Sequence, residues 1–545
     1  MNGARYIVDI LCENGVDVVF GYPGATVLSI YDELHKNKKR IRHIRTAHEQ
    51  GAAHAADAYA RASGKTGVVI ATSGPGATNL VTGIANAYMD SVPMVVITGN
   101  VDQHLIGTDS FQEVDIVGIT MSVTKYNCVV HSIDELGHSL RNAFIIAQSG
   151  RKGPVLVDVP RDVLESCLSL KSIKKMEAEF DYYHPPESRE DCCEHELDRA
   201  VQMLTESRNP VILVGGGVKA HRTSHVTDDI KQLAKILDCA ICSSLMAVDS
   251  IEYDYPYYAG FCGISGNEAA NRALDEADLI IAIGTRFSNR MIKSRSEQEV
   301  LHSGYTKVLH IDRDRAEINK VIASDCFLVG DAEQILPALI ARYREQIEAE
   351  DITSGVAVPA ITYNMYKRDE ILTALSEKVG TDAYIVTDVG NHQMWIARNY
   401  PFMQSGRFIT SGGLGTMGFG LGAAIGTVTH AKDKPVVLII GDGGFTMSCH
   451  ELATIKAYNL PVLVIMVNNG KLGMVYDLQA QKCRGRFSQT VVKRKPLYCN
   501  LARSFGMKAY KATCLETFNK AVQQYMDTKK ATFIDLCMDI YGRNE

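Results

Sequence analysis

The chain is poor in tryptophan, in net charge and in long apolar runs. There is one Trp in 545 residues, and Lys plus Arg total 57 against 63 Asp plus Glu, a formal net charge of −6. That balance excludes a nucleic-acid binder working through a basic surface. The best apolar runs, Pro435–Gly441 and Leu460–Val467, are of strand length and far short of a bilayer span. Asp9 and Glu13 interrupt the first fifteen residues, so no secretory leader is expected. The 14 cysteines are scattered, which without a leader predicts reduced thiols in a cytoplasmic protein. Cys239 and Cys242 form a C-x-x-C with no second pair at zinc spacing, and read as buried structural thiols. Cys192, Cys193 and His195 sit in a charged stretch and read as part of a linker rather than a metal site.

What is present is a globular composition, 46% hydrophobic and 22% charged, with 44 glycines. Strand-like and amphipathic helical runs alternate along it. Val16–Gly21, Ile41–Thr46, Thr66–Thr72 and Val92–Thr98 read as strands, and Gly51–Ala62 as a helix of small residues. Such alternation predicts a parallel sheet covered on both faces. Glycine and proline cluster where those strands end, at Gly21-Tyr22-Pro23-Gly24 and Ser73-Gly74-Pro75-Gly76. Ligands bind at the carboxyl ends of strands in sheets of this kind.

Two breaks interrupt the alternation, Leu168–Glu196 with Pro185-Pro186, and Glu348–Pro359. Between and beyond them, Pro210–Gly217, Leu279–Gly284, Val308–Asp312, Tyr384–Asp388, Leu460–Asn468 and Thr532–Met538 read as further strands. The expected fold is α/β, three doubly wound parallel-sheet domains over residues 1–167, 191–345 and 360–545.

One constellation carries chemistry. Gly441-Asp442-Gly443 closes an apolar strand, and Asn468-Asn469 closes the next one, with a helix expected over Ser448–Tyr458 between them. The unit sets a carboxylate and an amide oxygen side by side at one sheet edge. Hard oxygen donors of that kind suit Mg²⁺ shared with a phosphate group. Gly443 and Gly444 leave room for a diphosphate near a helix start. A lone Gly-Asp-Gly would be an ordinary turn; the pairing with Asn-Asn on a strand–helix–strand unit is what makes it specific.

This stretch resembles the cofactor signature of thiamine-diphosphate enzymes. The resemblance implies Mg²⁺ held by Asp442, Asn469 and the backbone carbonyl of Lys471. It also implies a carboxylate against the aminopyrimidine ring of a cofactor on the neighbouring subunit. Glu49, in His48-Glu49-Gln50-Gly51, stands where that carboxylate is expected. Taken alone, Glu49 would be a helix-start Glu favoured by the dipole.

Further segments resemble the large catalytic subunit of acetohydroxyacid (acetolactate) synthases. They are Gly21–Ala25, Ser73–Ala77, Gly107–Glu113, Thr124–Asn127, His392–Trp395, Ser411–Gly418 and Leu472–Val475. The resemblance implies Phe111, Gln112 and Lys125 on the substrate side from one subunit, facing Met474, Val475 and Leu478 of the other. It implies cofactor contacts from Pro23, Gly24, Gly76, Asn79, Asn391, His392, Gly415, Gly441, Gly443 and Gly444, with Met417 as the wedge beneath a bent cofactor. It implies decarboxylation of pyruvate and joining of the two-carbon unit to a second 2-oxo acid, in a homodimer or homotetramer that can take a small regulatory subunit. Branched-chain amino acid biosynthesis is the setting of the biosynthetic members.

The chain also departs from that pattern. Leu478 stands where the biosynthetic members carry Trp, which predicts a wider acceptor pocket and pyruvate in both roles. Gln103-His104 replaces a basic pair, and Asn391 replaces Gln. The sequence reaches Glu545 soon after the last expected strand, so the family's C-terminal lid tail is expected to be missing. Gly215-Gly216-Gly217 and the run from Gly284 through Arg286 to Arg290 resemble contacts to a structural FAD, with Gly216 and Arg286 as candidate ligands and Ser288-Asn289 where two Asp are usual. A thiamine-dependent decarboxylase or lyase of another 2-oxo acid stays open as the alternative. A nicotinamide dehydrogenase would rest only on the glycine-rich middle domain, which lacks a clear G-x-G-x-x-G with a downstream acid at the right place. An inactive scaffold is hard to square with intact Glu49, Asp442 and Asn469.

Overall fold

A computed structural model describes residues 1–169, 180, 182–185, 194–219, 225–291, 306–349, 369–493 and 496–538. Three six-stranded sheets run through them, and every strand pair whose register is defined is parallel. The first contains β1 (Val18–Gly21), β2 (Arg42–Arg45), β3 (Gly67–Ala71), β4 (Met94–Asn100), β5 (Tyr126–Val129) and β6 (Pro154–Pro160). The second contains β7 (Pro210–Val214), β8 (Ala240–Ser243), β9 (Tyr258–Phe261), β10 (Leu279–Ile283), β11 (Lys307–Asp312) and β12 (Cys326–Val329). The third contains β13 (Tyr384–Thr387), β14 (Phe408–Thr410), β15 (Val436–Gly441), β16 (Val462–Val467), β17 (Lys508–Ala512) and β18 (Thr532–Leu536). Three parallel sheets with helical crossovers are the expected fold class.

Strand order locates the candidate sites. The first sheet runs β2-β1-β3-β4-β6-β5 and the third β14-β13-β15-β16-β18-β17, the same order. The second runs β12-β11-β10-β7-β8-β9. The winding reverses between β1 and β3, between β7 and β10, and between β13 and β15. Connections leave to opposite faces there and open a crevice at the carboxyl ends. The glycine signals of the sequence follow β1, β3, β7, β10 and β15.

The chain divides into two compact units: Met1–Pro185 with Ala383–Gln393 and Ile409–Glu545, and Pro186–Asp382 with Met394–Phe408. In the first unit a helix over Glu49–Ser63 packs against a helix over Phe419–Ala431. Small residues permit this. A methyl group on Gly422 would lie 2.8 Å from the Gly51 carbonyl oxygen, and one on Gly426 only 1.9 Å from that of Ala55. Backbone meets backbone, and a single apolar core joins the first and third sheets across the pair.

In the second unit, apolar residues cover both faces of the middle sheet. Cys239 and Cys242 are buried and free, and burial pushes both thiols up, as expected of structural cysteines. The lone tryptophan, Trp395, is buried there with its indole donating to Asp369 at 2.7 Å. Asp369 also caps the helix Glu370–Val379.

Three local readings change. The helix expected from Ser448 starts at Asp442, runs to Ser448, and continues through a turn at Cys449–Glu451 and a helix at Leu452–Ala457. Asp-Gly-Gly reads as a turn, yet an acidic first residue suits a helix start. The expected linker Leu168–Glu196 ends in the helix Glu194–Glu206, which takes in His195, while Cys192 and Cys193 lie outside the described residues. The helix Ala332–Ala349 enters the second break, whose residues 350–359 also lie outside them.

Candidate active site

The Gly441-Asp442-Gly443 and Asn468-Asn469 turns meet at the carboxyl ends of β15 and β16, beside the third switch point. Asp442 is buried, and one carboxylate oxygen accepts from the Gly470 amide at 2.9 Å. Asn469 Oδ1 accepts from the Lys471 amide at 3.0 Å. Lys471 forms an antiparallel bridge with Val491, but its hydrogen bonds belong to the neighbours: Val492 donates to Gly470 and Leu472 donates to Thr490. The Lys471 carbonyl is therefore not used in that bridge. Among the described residues no group of three or more His, Cys, Asp or Glu could hold a metal. A cation here would lean on one carboxylate, one amide and one carbonyl, which is the donor set of a hard ion shared with phosphate oxygens.

Around these donors lies a cradle without side chains. A methyl on Gly443 would stand 2.6 Å from Leu472 and 3.3 Å from the Met417 methyl. One on Gly473 would stand 3.0 Å from the amide nitrogens of both Asn391 and Asn469. Asn391 also donates to Asp477 at 2.9 Å, tying the β13 turn to the helix Gly473–Lys482. The His392 ring lies against Gly390 and Gly441, buried, with no partner on Nε2. Burial lowers its pKa to about 4, so the ring is neutral. Its Nδ1 and Cε1 are the ring atoms that face these glycines. Gly415 has φ +70° and open space where a side chain would be.

Asp388 organises this corner. It is fully buried and accepts from the amides of Val389, Gly418 and Gly420. Burial raises its pKa to about 6, offset by those three donors. It thereby holds both ends of the turn that follows Met417.

A second cluster forms at the first switch point. Glu49, the first residue of its helix, is largely buried and accepts from Asn79 at 2.9 Å. A methyl on Gly76 would lie 3.5 Å from Glu49 Oε1, and methyls on Gly24 and Gly76 would both strike Thr72. The structure thus brings Glu49, Gly76 and Asn79 together, with the Pro23-Gly24 turn alongside. Gln112, at φ +62°, backs onto Gly74.

Buried charge ties this part to the Met417 segment. Arg61 pairs with Asp57 and Asp90 and donates to the Thr410 carbonyl. Asp90 accepts from the Gly412 and Gly413 amides, and Asn86 accepts from Ser411 and Thr416. Sequence reading passed over this network, because charge on an alanine-rich helix looks like a solvated face.

Other predicted residues stand apart. Phe111 is 86% exposed, and Val475 and Leu478 are each 45% exposed. Lys125 lies outside the Glu49 cluster. It precedes β5, at the amino end of the first sheet, and its ammonium donates to the carbonyls of Ile146 and Ser149. One cation on the carboxyl edge is Arg161, directly after β6, paired with Asp102 at 2.5 and 2.9 Å. Its place after an apolar run is the signal that would have found it.

In the other compact unit, Gly215-Gly216-Gly217 follows β7 and crosses the turn after β10. A methyl on Gly215 would lie 2.0 Å from the Gly284 carbonyl oxygen, and one on Gly216 2.9 Å from Met246. Arg286 is half-buried beyond that turn, and the Phe287 ring packs edge-on against His310 at 5.2 Å. Gly216 and Arg286 thus flank the switch point of a dinucleotide-type strand order.

Family comparison agrees with this geometry. Three family models match: the thiamine pyrophosphate enzyme N-terminal TPP binding domain over residues 1–119, the central domain over 197–339 and the C-terminal TPP binding domain over 388–536. The chain belongs to the thiamine pyrophosphate enzymes, as the acetolactate synthase large subunits among its relatives also indicate. The acetolactate synthase large subunit of Lactococcus lactis is 38% identical over 94% of this chain and 88% of its own length. The acetolactate synthase isozyme 2 large subunit of Escherichia coli is 38% identical over 99% and 96%. A probable acetolactate synthase large subunit of Methanococcus aeolicus is 37% identical over 99% and 92%. Among the described residues no helix is long and apolar enough to cross a membrane.

Proposed function

We propose that this enzyme is a carboligase of acetolactate synthase type, releasing CO₂ from pyruvate and joining the remaining two carbons to a second 2-oxo acid. Bound thiamine diphosphate supplies the carbanion chemistry. The observation that carries the reading is the convergence of Asp442, Asn469 and Lys471 with the cradle of Gly443, His392 and Met417. Asp442, Asn469 and the Lys471 carbonyl would hold Mg²⁺ and the diphosphate. Met417 would support the cofactor from below, with the Gly415 carbonyl at its amino group. Glu49 would hold a proton against the ring nitrogen of the cofactor on the other subunit.

Exposure of Phe111, Val475 and Leu478 in a single chain supports a site completed by a second copy, in a homodimer or homotetramer. Those apolar groups would exclude water from the reacting carbons, which favours loss of charge as CO₂ leaves. Leu478 leaves the acceptor wall wide and aliphatic, so pyruvate serves in both roles and the product is 2-acetolactate. The glycine crossing at Gly216 and the Arg286 turn support a structural FAD, since the reaction is redox-neutral. A small regulatory subunit and a cytoplasmic setting complete the proposal.

Product analysis tests it. Purified enzyme with Mg²⁺ and thiamine diphosphate is given pyruvate alone, then pyruvate with 2-oxobutyrate, each with and without FAD. Acetolactate from pyruvate alone is expected; acetaldehyde as the sole product would overturn the carboligase reading. Flavin absorbance near about 450 nm on the purified protein is the matching check on FAD.

A further inference from the structure

We infer that Glu451 is a positioning residue for Glu49, holding the loop that aims it through two backbone hydrogen bonds. The inference rests on the proposed role of Glu49. Glu451 ends the helical turn Cys449–Glu451 and is completely buried. Its carboxylate accepts from the amides of Ala47 and His48, each at 3.1 Å, and from the Thr454 hydroxyl at 2.7 Å. A methyl on Gly51 would stand 2.1 Å from Glu451 Oε1, so the carboxylate lies directly against the first turn of the Glu49 helix. Nearby, the Arg45 amide donates to the Tyr458 hydroxyl at 2.8 Å.

The β2–helix loop has few supports of its own. Thr46 reaches the Gly21 carbonyl at 3.3 Å, and His48 caps the helix by accepting from Gln50 at 3.1 Å. Three loop amides, those of Arg45, Ala47 and His48, depend on groups after the third domain's metal turn. Burying a carboxylate is costly unless donors surround it. Burial raises the pKa of this carboxyl, and the donors from Thr454, Ala47 and His48 act against that rise. His450 Nε2, 3.7 Å from Oε1, is the one titratable neighbour paired with it.

Glu451 also shares a helical run with Asp442. Nine positions separate them, across the helix Asp442–Ser448 and the turn Cys449–Glu451. The turn that would carry the metal and the carboxylate that holds the Glu49 loop thus belong to consecutive helical segments. Sequence alone hides this, because Glu451 reads as an ordinary helix carboxylate.

The test uses holoenzyme with Mg²⁺ and thiamine diphosphate. It measures deuterium exchange at the thiazolium C2 position by acid quench and NMR, with cofactor Kd from calorimetry. Glu451→Gln keeps the shape but turns an amide NH₂ toward a loop N–H. Exchange should slow by about tenfold, part of the 10²–10⁴ that a positioned acid–base group supplies, while Kd moves less than about threefold. Thr454→Val, a milder change that leaves the carboxylate in place, should slow it about two- to fivefold by the same argument. Wild-type exchange in both variants overturns the inference, as does a loss of affinity in step with the loss of exchange. Glu49→Gln separates the layers. Slow exchange there beside normal exchange in Glu451→Gln removes the Glu451 role alone. Normal exchange in Glu49→Gln removes the Glu49 reading and this inference with it.

Discussion

Leu478 shows how one side chain sets a reading at the residue scale. It shares a helix face with Met474 and Val475, at spacings of four and three, and is 45% exposed. Apolar pocket differences of about a methylene are worth roughly 1–3 kcal/mol, or 10–200-fold in discrimination. Leu478→Trp should therefore raise preference for 2-oxobutyrate over pyruvate as acceptor by about tenfold in a competition assay. An unchanged product ratio would mean that residue 478 does not touch the acceptor. Lys125 carries the opposite lesson. Its chemistry matched the expected role, but residue type says nothing about which edge of a sheet a side chain occupies.

At the scale of elements, the Glu49–Ser63 helix is built to be surrounded. His54 on it is buried, its ring 5.2 Å from Phe419 and its Nδ1 without a partner. Burial, with a smaller contribution from Arg61, lowers its pKa from 6.5 to about 3. The unfolded chain takes up this proton as pH falls through 6.5, while the folded chain refuses it until about 3. Stability from this group is thus full above 6.5 and is lost as pH falls below it. Between pH 6.5 and 5 the loss is about 2 kcal/mol, at 1.36 kcal/mol per unit. Urea unfolding at several pH values should show His54→Gln flattening the slope by about that amount. His43 and His392, each lowered to about 4 by burial, leave a remaining slope of the same sign.

Strands were legible at this scale because burial on both faces writes them as unbroken apolar runs, as in β16. Helix starts were less legible. The Asp442 helix opens on Asp-Gly-Gly, and Gly444 is there because a side chain would strike Asp388 at 2.4 Å. That constraint comes from a residue 56 positions earlier.

For the whole molecule, the matching order of the first and third sheets puts both candidate clusters at switch points. If Glu49 serves the cofactor held by a second copy, two inactive variants should complement. Glu49→Gln and Asp442→Asn subunits, mixed after dissociation, form heterodimers with one doubly damaged site and one intact site. Random pairing should restore about a quarter of wild-type activity in a symmetric dimer. A site complete within one chain would restore none.

The sequence by itself determined the class of fold and the pairing of Gly441-Asp442-Gly443 with Asn468-Asn469. Those depend on local periodicity and on short-range spacing, which the chain writes out directly. It determined the candidate Glu49 only through likeness to a family. Tertiary structure alone decided which groups converge. It set Met417 over Gly443, Arg61 against the Thr410–Thr416 segment and Glu451 beneath Glu49's helix, and it put Lys125 at the far edge. The physical reason is that these contacts join residues tens to hundreds of positions apart, so packing and strand order decide them rather than local spacing. The lone Trp395 belongs with them: its indole partner, Asp369, is set by the packing of two helices and not by any motif around it.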